Sequence, residues 1–385
     1  MKINTLLRCT LISGFALSSL ADAKGNAAPA ETQQQATAAK IQIAILLDTS
    51  GSMSGLIEQT KTQLWKIINT FTDAKQHGQI PYVEVALYEY GNDGLASKEN
   101  WIRQIQPLTR DLDQISENLF GLSTNGGSEF CGAVIKHASD KLEWDDSKDV
   151  YKAIFIAGNE AFTQGSIDAY QSCRESAAKG VYINTIFCGD KNSAVSHSWS
   201  AGSKLAGGSA LVIDHNRVVQ HIESPHDKPI LELNIRLNAT YLAYGVEGKK
   251  SSLRQTAQDG NSYKHSKSGA HLQRAVSKAS SNYSNTNWDL IDASKEKGFK
   301  VTEIKKAHLP AEMQKMNEQQ QLAHIQKKAA DRSTIQKEIN TLNKQREQWL
   351  QTQRKQNAAQ GSDTLDSAMI STVRKQATEK GYSFK

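Results

Sequence analysis

Asp48, Ser50 and Ser52 stand at alternate positions directly after the aliphatic run 41–47. Together they offer one carboxylate and two hydroxyls, hard oxygen donors that suit Mg²⁺, with Mn²⁺ or Ca²⁺ as alternatives. Asp and Ser are also good helix N-caps, so a capped turn is the plain structural reading of the same residues. Two further polar loops carry oxygen donors. Residues 122–129 contain Thr124, Gly126, Gly127 and Ser128, and a second apolar run ends at Gly158, Asn159 and Glu160. An aspartic-protease signature is excluded, because Ser50 separates Thr49 from Gly51 and no second copy occurs. No Walker loop, Gly-x-Ser-x-Gly elbow or His-Glu-x-x-His pair is present, which removes the signals of those enzyme classes.

Three loops make one site only if the fold brings them to the same edge. Hydrophobic patterning places strands at 41–48, 83–90, 101–108, 150–157, 181–188 and 209–214, and helices at 55–72, 111–119, 130–142, 166–179 and 199–206. Strands that are apolar throughout and alternate with helices specify an α/β fold, a doubly wound, mostly parallel sheet with helices on both faces. In such a sheet the loops at the carboxyl ends of the strands converge. Asp48–Ser52, Thr124–Glu129 and Gly158–Glu160 then share one rim.

Asp48-x-Ser50-x-Ser52 after an aliphatic strand, with Gly126-Gly127-Ser128 opening a helix, resembles a von Willebrand factor type A (VWA) domain over residues 41–215. The resemblance implies a metal-ion-dependent adhesion site (MIDAS), usually filled by Mg²⁺. It would hold the ion through Ser50 and Ser52, through Asp48 by way of water, and through the hydroxyl of Ser128, with Thr124 as its alternate. The ion would complete its shell with an acidic side chain of a protein partner. It also implies a binding protein and not an enzyme. The third loop departs from the family pattern: Ala157-Gly158-Asn159 stands where Thr-Asp-Gly is usual, so Asn159 or Glu160 would substitute for the aspartate. The wording of 86–92, 154–165 and 184–189 is similar to exported bacterial VWA proteins of unassigned role.

The remaining chain adds context. Lys2 and Arg8, a short apolar run and Ala21-Asp22-Ala23 read as a signal peptide over 1–23, followed by a flexible linker over 24–40. The expected location is the periplasm or the exterior. A net charge of +6 without a basic, aromatic-interleaved stripe gives no argument for nucleic acid, and the leader's apolar run is too short to span a bilayer. Beyond the leader stand Cys131, Cys173 and Cys188, which allow one disulfide in any of three pairings. Residues 216–310 read as an extension packed on the main domain, with 230–243 ambiguous between helix and strand. Residues 311–357 lack Gly and Pro and read as a long polar helix, arranged as a helical hairpin or weak coiled coil that offers an oligomerisation surface. A short amphipathic helix closes the chain within 358–385. The alternatives to a metal-dependent binding protein are a metal-independent scaffold and, from the enzyme class, an accessory subunit of an ATP-driven chelatase.

Overall fold

The computed structural model describes residues 39–54, 62, 65–213, 221–264, 269–357 and 365–384. The expected leader, the linker up to residue 38 and half of the helix expected at 55–72 lie outside them, although residues 65–69 are helical.

The strands are β1 (Lys40–Asp48), β2 (Lys75–Gln76), β3 (Tyr82–Tyr90), β4 (Ile102–Thr109), β5 (Tyr151–Gly158), β6 (Val181–Cys188), β7 (Ala210–Ile213) and β8 (Tyr382–Ser383). Six of them form one sheet in the order β4-β3-β1-β5-β6-β7, and β2 pairs with β8. All neighbours in the large sheet are parallel except β3 and β4. β4 carries Pro107, which has no N–H to donate and so belongs on an edge strand. The central strand β1 buries both faces. Ile41, Ile43, Ile45 and Leu47 enter one core cluster, while Ala44 and Leu46 enter the other. That is the period-two alternation of a strand covered on both sides.

The helices against this sheet are α1 (Leu112–Phe120), α2 (Cys131–Lys141), α3 (Ala169–Ala178) and α4 (Ala194–Leu205). The expected doubly wound α/β class is therefore what the chain adopts. One boundary differs: α4 begins five residues earlier than the apolar pattern suggested. Ser193 caps it by accepting from the Ser196 N–H, a signal that hydrophobic periodicity does not see. The chain leaves β1 toward β3 and leaves β5 toward β6, so the topological switch point lies between the carboxyl ends of β1 and β5.

The extension is helical: α5 (Asp227–Asn238), α6 (Gly248–Lys264), α7 (Ala270–Lys278), α8 (Leu290–Ala293), α9 (Glu318–Asn357) and α10 (Leu365–Glu379). The ambiguous 230–243 stretch resolves as helix up to Asn238, since Ile230, Leu233 and Leu237 share a buried stripe at 3-4 spacing, and then as a turn leading to an isolated bridge at Ala243. A buried ionic cluster joins α1 to α6 and α7. Arg274 donates to Asp113 Oδ1 at 2.8 Å and to Asp259 Oδ1 at 2.6 Å, and Lys278 donates to Asp259 Oδ2 at 2.7 Å.

The long helix departs from expectation in two ways. It starts at Glu318, not 311, because Asn317 and Gln320 exchange side-chain and backbone hydrogen bonds, both 2.9 Å, as in a capping box. It is also one uninterrupted helix, and most of its large apolar residues are covered by the same chain, with Leu322 left 40% exposed. Ile335 and Ile339 pack with Ile230, Leu237, Leu272 and Ala275, and Ile325 packs with Leu242, Leu290 and Met313. The seam expected to form a hairpin or coiled coil is already occupied. α10 and β8 join the sheet's own core through Met369, Val373, Ala377 and Tyr382. No helix among the described residues is long and apolar enough to cross a membrane.

Candidate metal centre

β1 ends at Asp48, whose side chain is fully buried. The turn that follows is closed by the Ser50 backbone N–H donating to Asp48 Oδ1 at 2.7 Å. Ser50 and Ser52 share a hydroxyl hydrogen bond of 2.8 Å. Ser52 in turn donates to Asn159 Oδ1 at 3.0 Å, so the first and third loops touch directly at the switch point. Four of the expected residues, Asp48, Ser50, Ser52 and Asn159, thus form one hydrogen-bonded chain. Glu160 stands exposed at the rim. Its charge is close enough to push Asp48 upward, and its backbone carbonyl accepts from Trp199 Nε1 at 2.8 Å.

The second loop is sewn to the first by backbone groups. Asn125 N–H donates to the Thr49 carbonyl at 3.0 Å. Asn92 Nδ2 spans both loops, at 3.3 Å from the Thr49 carbonyl and 3.0 Å from that of Ser123. Among the described residues, no hydrogen bond joins Ser128 or Thr124 to Asp48, Ser50 or Ser52. Both side chains are half-exposed.

The next residue takes the inward position. Glu129 is only 2% exposed, and its backbone N–H donates to Gln164 Oε1 at 2.6 Å. Its carboxyl lies against Asp48 and Ser50. Burial, and then the Asp48 carboxyl beside it, push Glu129 up to about 9. Burial likewise raises Asp48, and its hydrogen bonds to Glu129 and Ser50 only partly offset that. Two carboxyls sharing a buried space cannot both ionise without a compensating cation. Glu129 is the functional candidate that sequence reasoning passed over. Its signal was a carboxylate at the foot of α2, but hydroxyl chemistry directed attention to Ser128.

Two small residues make room for the pair. A Cβ on Gly91 would lie 2.9 Å from both Asp48 Oδ1 and Glu129 Cγ, and Gly91 has φ +77°. A Cβ on Gly158 would stand 2.6 Å from Tyr90 Oη and 3.2 Å from Asp48 Oδ2. Tyr90 Oη, from the strand beside β1, donates to the Ala157 carbonyl at 3.0 Å and closes the floor.

No group of three or more His, Cys, Asp or Glu side chains able to hold a metal occurs among the described residues. The donor set at the switch point is different in kind: carboxylates supplemented by hydroxyl and carboxamide oxygens. It fits a hard cation, and Asp48 Oδ2 and Glu129 Oε2 are buried atoms with no hydrogen-bond partner. Cys131, Cys173 and Cys188 are buried free thiols. The disulfide that these three cysteines would allow is not formed among them, and burial pushes the Cys173 thiol up to about 12.

The fold is an α/β domain with a doubly wound sheet, and the solved structures similar to it include VWA domains. They include the SpRpn10 VWA domain, at 16% identity and TM-score 0.35 over 45% of this chain and 87% of that one. The conserved hypothetical protein BatB from Bacteroides thetaiotaomicron matches at 14% identity and TM-score 0.35, over 45% and 90%. Proximal thread matrix protein 1 from the mussel byssus, with a zinc-occupied MIDAS motif, matches at 13% identity and TM-score 0.37, over 47% and 43%. At these values the likeness concerns chain path alone. No protein-family model matches the chain, and no curated protein does.

Proposed function

We propose that residues 39–213 form a non-enzymatic docking module that binds a protein partner through a Mg²⁺ ion at the switch point. Asp48, Ser50 and Ser52 would hold the ion, with Ser128 or Thr124, Asn159 and Glu160 completing the rim. An acidic side chain of the partner would take the remaining position. The observation that carries this reading is the buried Asp48 carboxylate, whose Oδ2 has no hydrogen-bond partner although Oδ1 accepts from the Ser50 N–H. Such an atom costs free energy unless something satisfies it. The leader at 1–23 supports a site of action in the periplasm or outside the cell. Finding the protein in the cytoplasm with that segment intact would remove this part of the reading.

The test is capture of partners by crosslinking in cells, with and without chelator. Capture should fall at least tenfold on chelation and equally in the Asp48→Ala, Ser50→Ala double variant. Unchanged capture by that variant would sink metal-mediated docking. The second reading, a metal-independent scaffold, is favoured by one observation: Ser52 and Asn159 already close the first and third loops on each other at 3.0 Å. Calorimetry with Mg²⁺ and Mn²⁺ separates the two, since a scaffold gives no heat of binding.

A further inference from the structure

The third loop brings Asn159 where a carboxylate would add charge, and its one acid, Glu160, stands exposed at the rim, so Asp48 is the one buried charge of that ligand set. The structure assigns the second negative ligand of that ion to Glu129, at the foot of α2, in place of the hydroxyl of Ser128. This inference rests on the metal-dependent reading above and deepens it.

Geometry carries the assignment. Asp48 and Glu129 are 0% and 2% exposed, and each keeps one buried oxygen without a hydrogen-bond partner, Oδ2 and Oε2. The two arms converge on the same face of Gly91, where a single added Cβ would meet both of them at 2.9 Å. Ser50, hydrogen-bonded to Ser52, lies in the same cluster. A carboxylate buried for structure alone is matched by Arg, Lys or several N–H donors. The other buried acids of this chain follow that rule: Asp113 and Asp259 meet Arg274, and Asp289 meets Arg332. Among the described residues, neither Asp48 nor Glu129 takes part in an ion pair. Among the described residues the other buried acids, Glu89, Asp113, Asp289 and Asp292, each face an Arg or a Lys.

Asp48 and Glu129 together bring two negative charges, matching a divalent cation. Ser50, Ser52 and Asn159 add neutral oxygens, and every donor is hard, as Mg²⁺ or Mn²⁺ requires. Ser128 then serves the loop and not the ion.

The experiment is titration calorimetry of the purified full chain with MgCl₂ and MnCl₂. Wild type is compared with Glu129→Gln, Glu129→Asp, Ser128→Ala and Asp48→Asn. Glu129→Gln should weaken Mn²⁺ binding about tenfold or more, since site affinity follows ligand charge. Glu129→Asp should fall between it and wild type, and Ser128→Ala should stay within about threefold. Melting in chelator confirms that each variant folds. A check that needs no variant is paramagnetic broadening, by Mn²⁺, of the Glu129 side-chain carbon in labelled wild-type protein. Equal affinity of Glu129→Gln and wild type, with Asp48→Asn inactive and no broadening at Glu129, overturns the assignment but keeps the metal site. A wild type that takes up neither ion overturns both.

Discussion

A methyl group at residue 91 would press on Asp48 Oδ1 and Glu129 Cγ together, on a backbone held at φ +77°. Gly91→Ala combines left-handed strain with a steric clash, and should cost about 2 kcal/mol. A melting temperature equal to that of wild type would contradict this. A second single-residue effect concerns pH. Burial, and then the neighbouring His221, push His271 down to about 4. Asp227 opposes that shift, Arg346 adds to it, and Tyr263 packs edge-on against the ring. Between pH 6.5 and 4 the unfolded chain therefore binds more protons at this position than the folded one. Stability from His271 is present above its unfolded pKa and is lost as pH falls through about 4. The ring is only partly buried, so solvent screening limits the effect to about 1 kcal/mol. His271→Gln should flatten the urea-midpoint slope over that window, and an unchanged slope would refute the assignment. At this level the sequence was legible where chemistry is local. Asp48, Ser50 and Ser52 declare themselves by spacing, and Asn159 by following a strand. Glu129 did not, because its burial depends on which of two adjacent side chains turns inward, and that is decided by the packing of Gly91 and α2.

Helix α9 shows how an element can be legible in kind and not in use. Its length and lack of breakers were plain, yet its thin apolar seam read as an interaction surface. The seam serves α5, α7 and α8 instead, and charge makes the fit specific. Arg332 is 2% exposed and donates to Asp289 Oδ2 at 2.6 Å and to Thr240 Oγ1 at 3.0 Å. Its guanidinium lies 4.0 Å from the centre of the Tyr241 ring. Arg332→Ala would leave Asp289 buried without its cation, while Asp292 keeps Lys295 at 2.8 Å. A loss of about 3–5 kcal/mol is expected, as for other broken buried pairs, read as a lower urea midpoint. A loss under about 1 kcal/mol would show that water replaces the guanidinium. The same long-range partnership explains why 230–243 could not be resolved from sequence. Ile230, Leu233 and Leu237 acquire a helical face only because α7 and α9 cover it.

The described residues belong to one compact unit, Ala38–Lys385, and its parts are not separable. The extension reaches the sheet through the Arg274, Asp113 and Tyr283 contacts. α10 puts Gln376 within 2.9 Å of both Tyr151 Oη and Asn184 Oδ1. A chain ended at residue 317 would strip Ile335, Ile339, Met369, Val373 and Tyr382 from two clusters at once. It should lose its near-ultraviolet circular dichroism and unfold without a sharp transition. A truncated chain that keeps a native spectrum would show that the sheet stands alone. The α/β class was readable because strands buried on both faces leave a strong signature. The docking of the C-terminal segment was not, since its residues are as polar as a solvated tail and gain their partners only across hundreds of positions.

That docking has a mechanical consequence. Tyr382 Oη donates to the Lys40 carbonyl, so the first strand and the last one meet at a single spot. A tether pulling residue 40 against residue 382 would load this clasp and the short β2-β8 pair before any helix felt the force. The rim around Asp48 stands at the opposite end of β1 and would keep its shape until the clasp had opened.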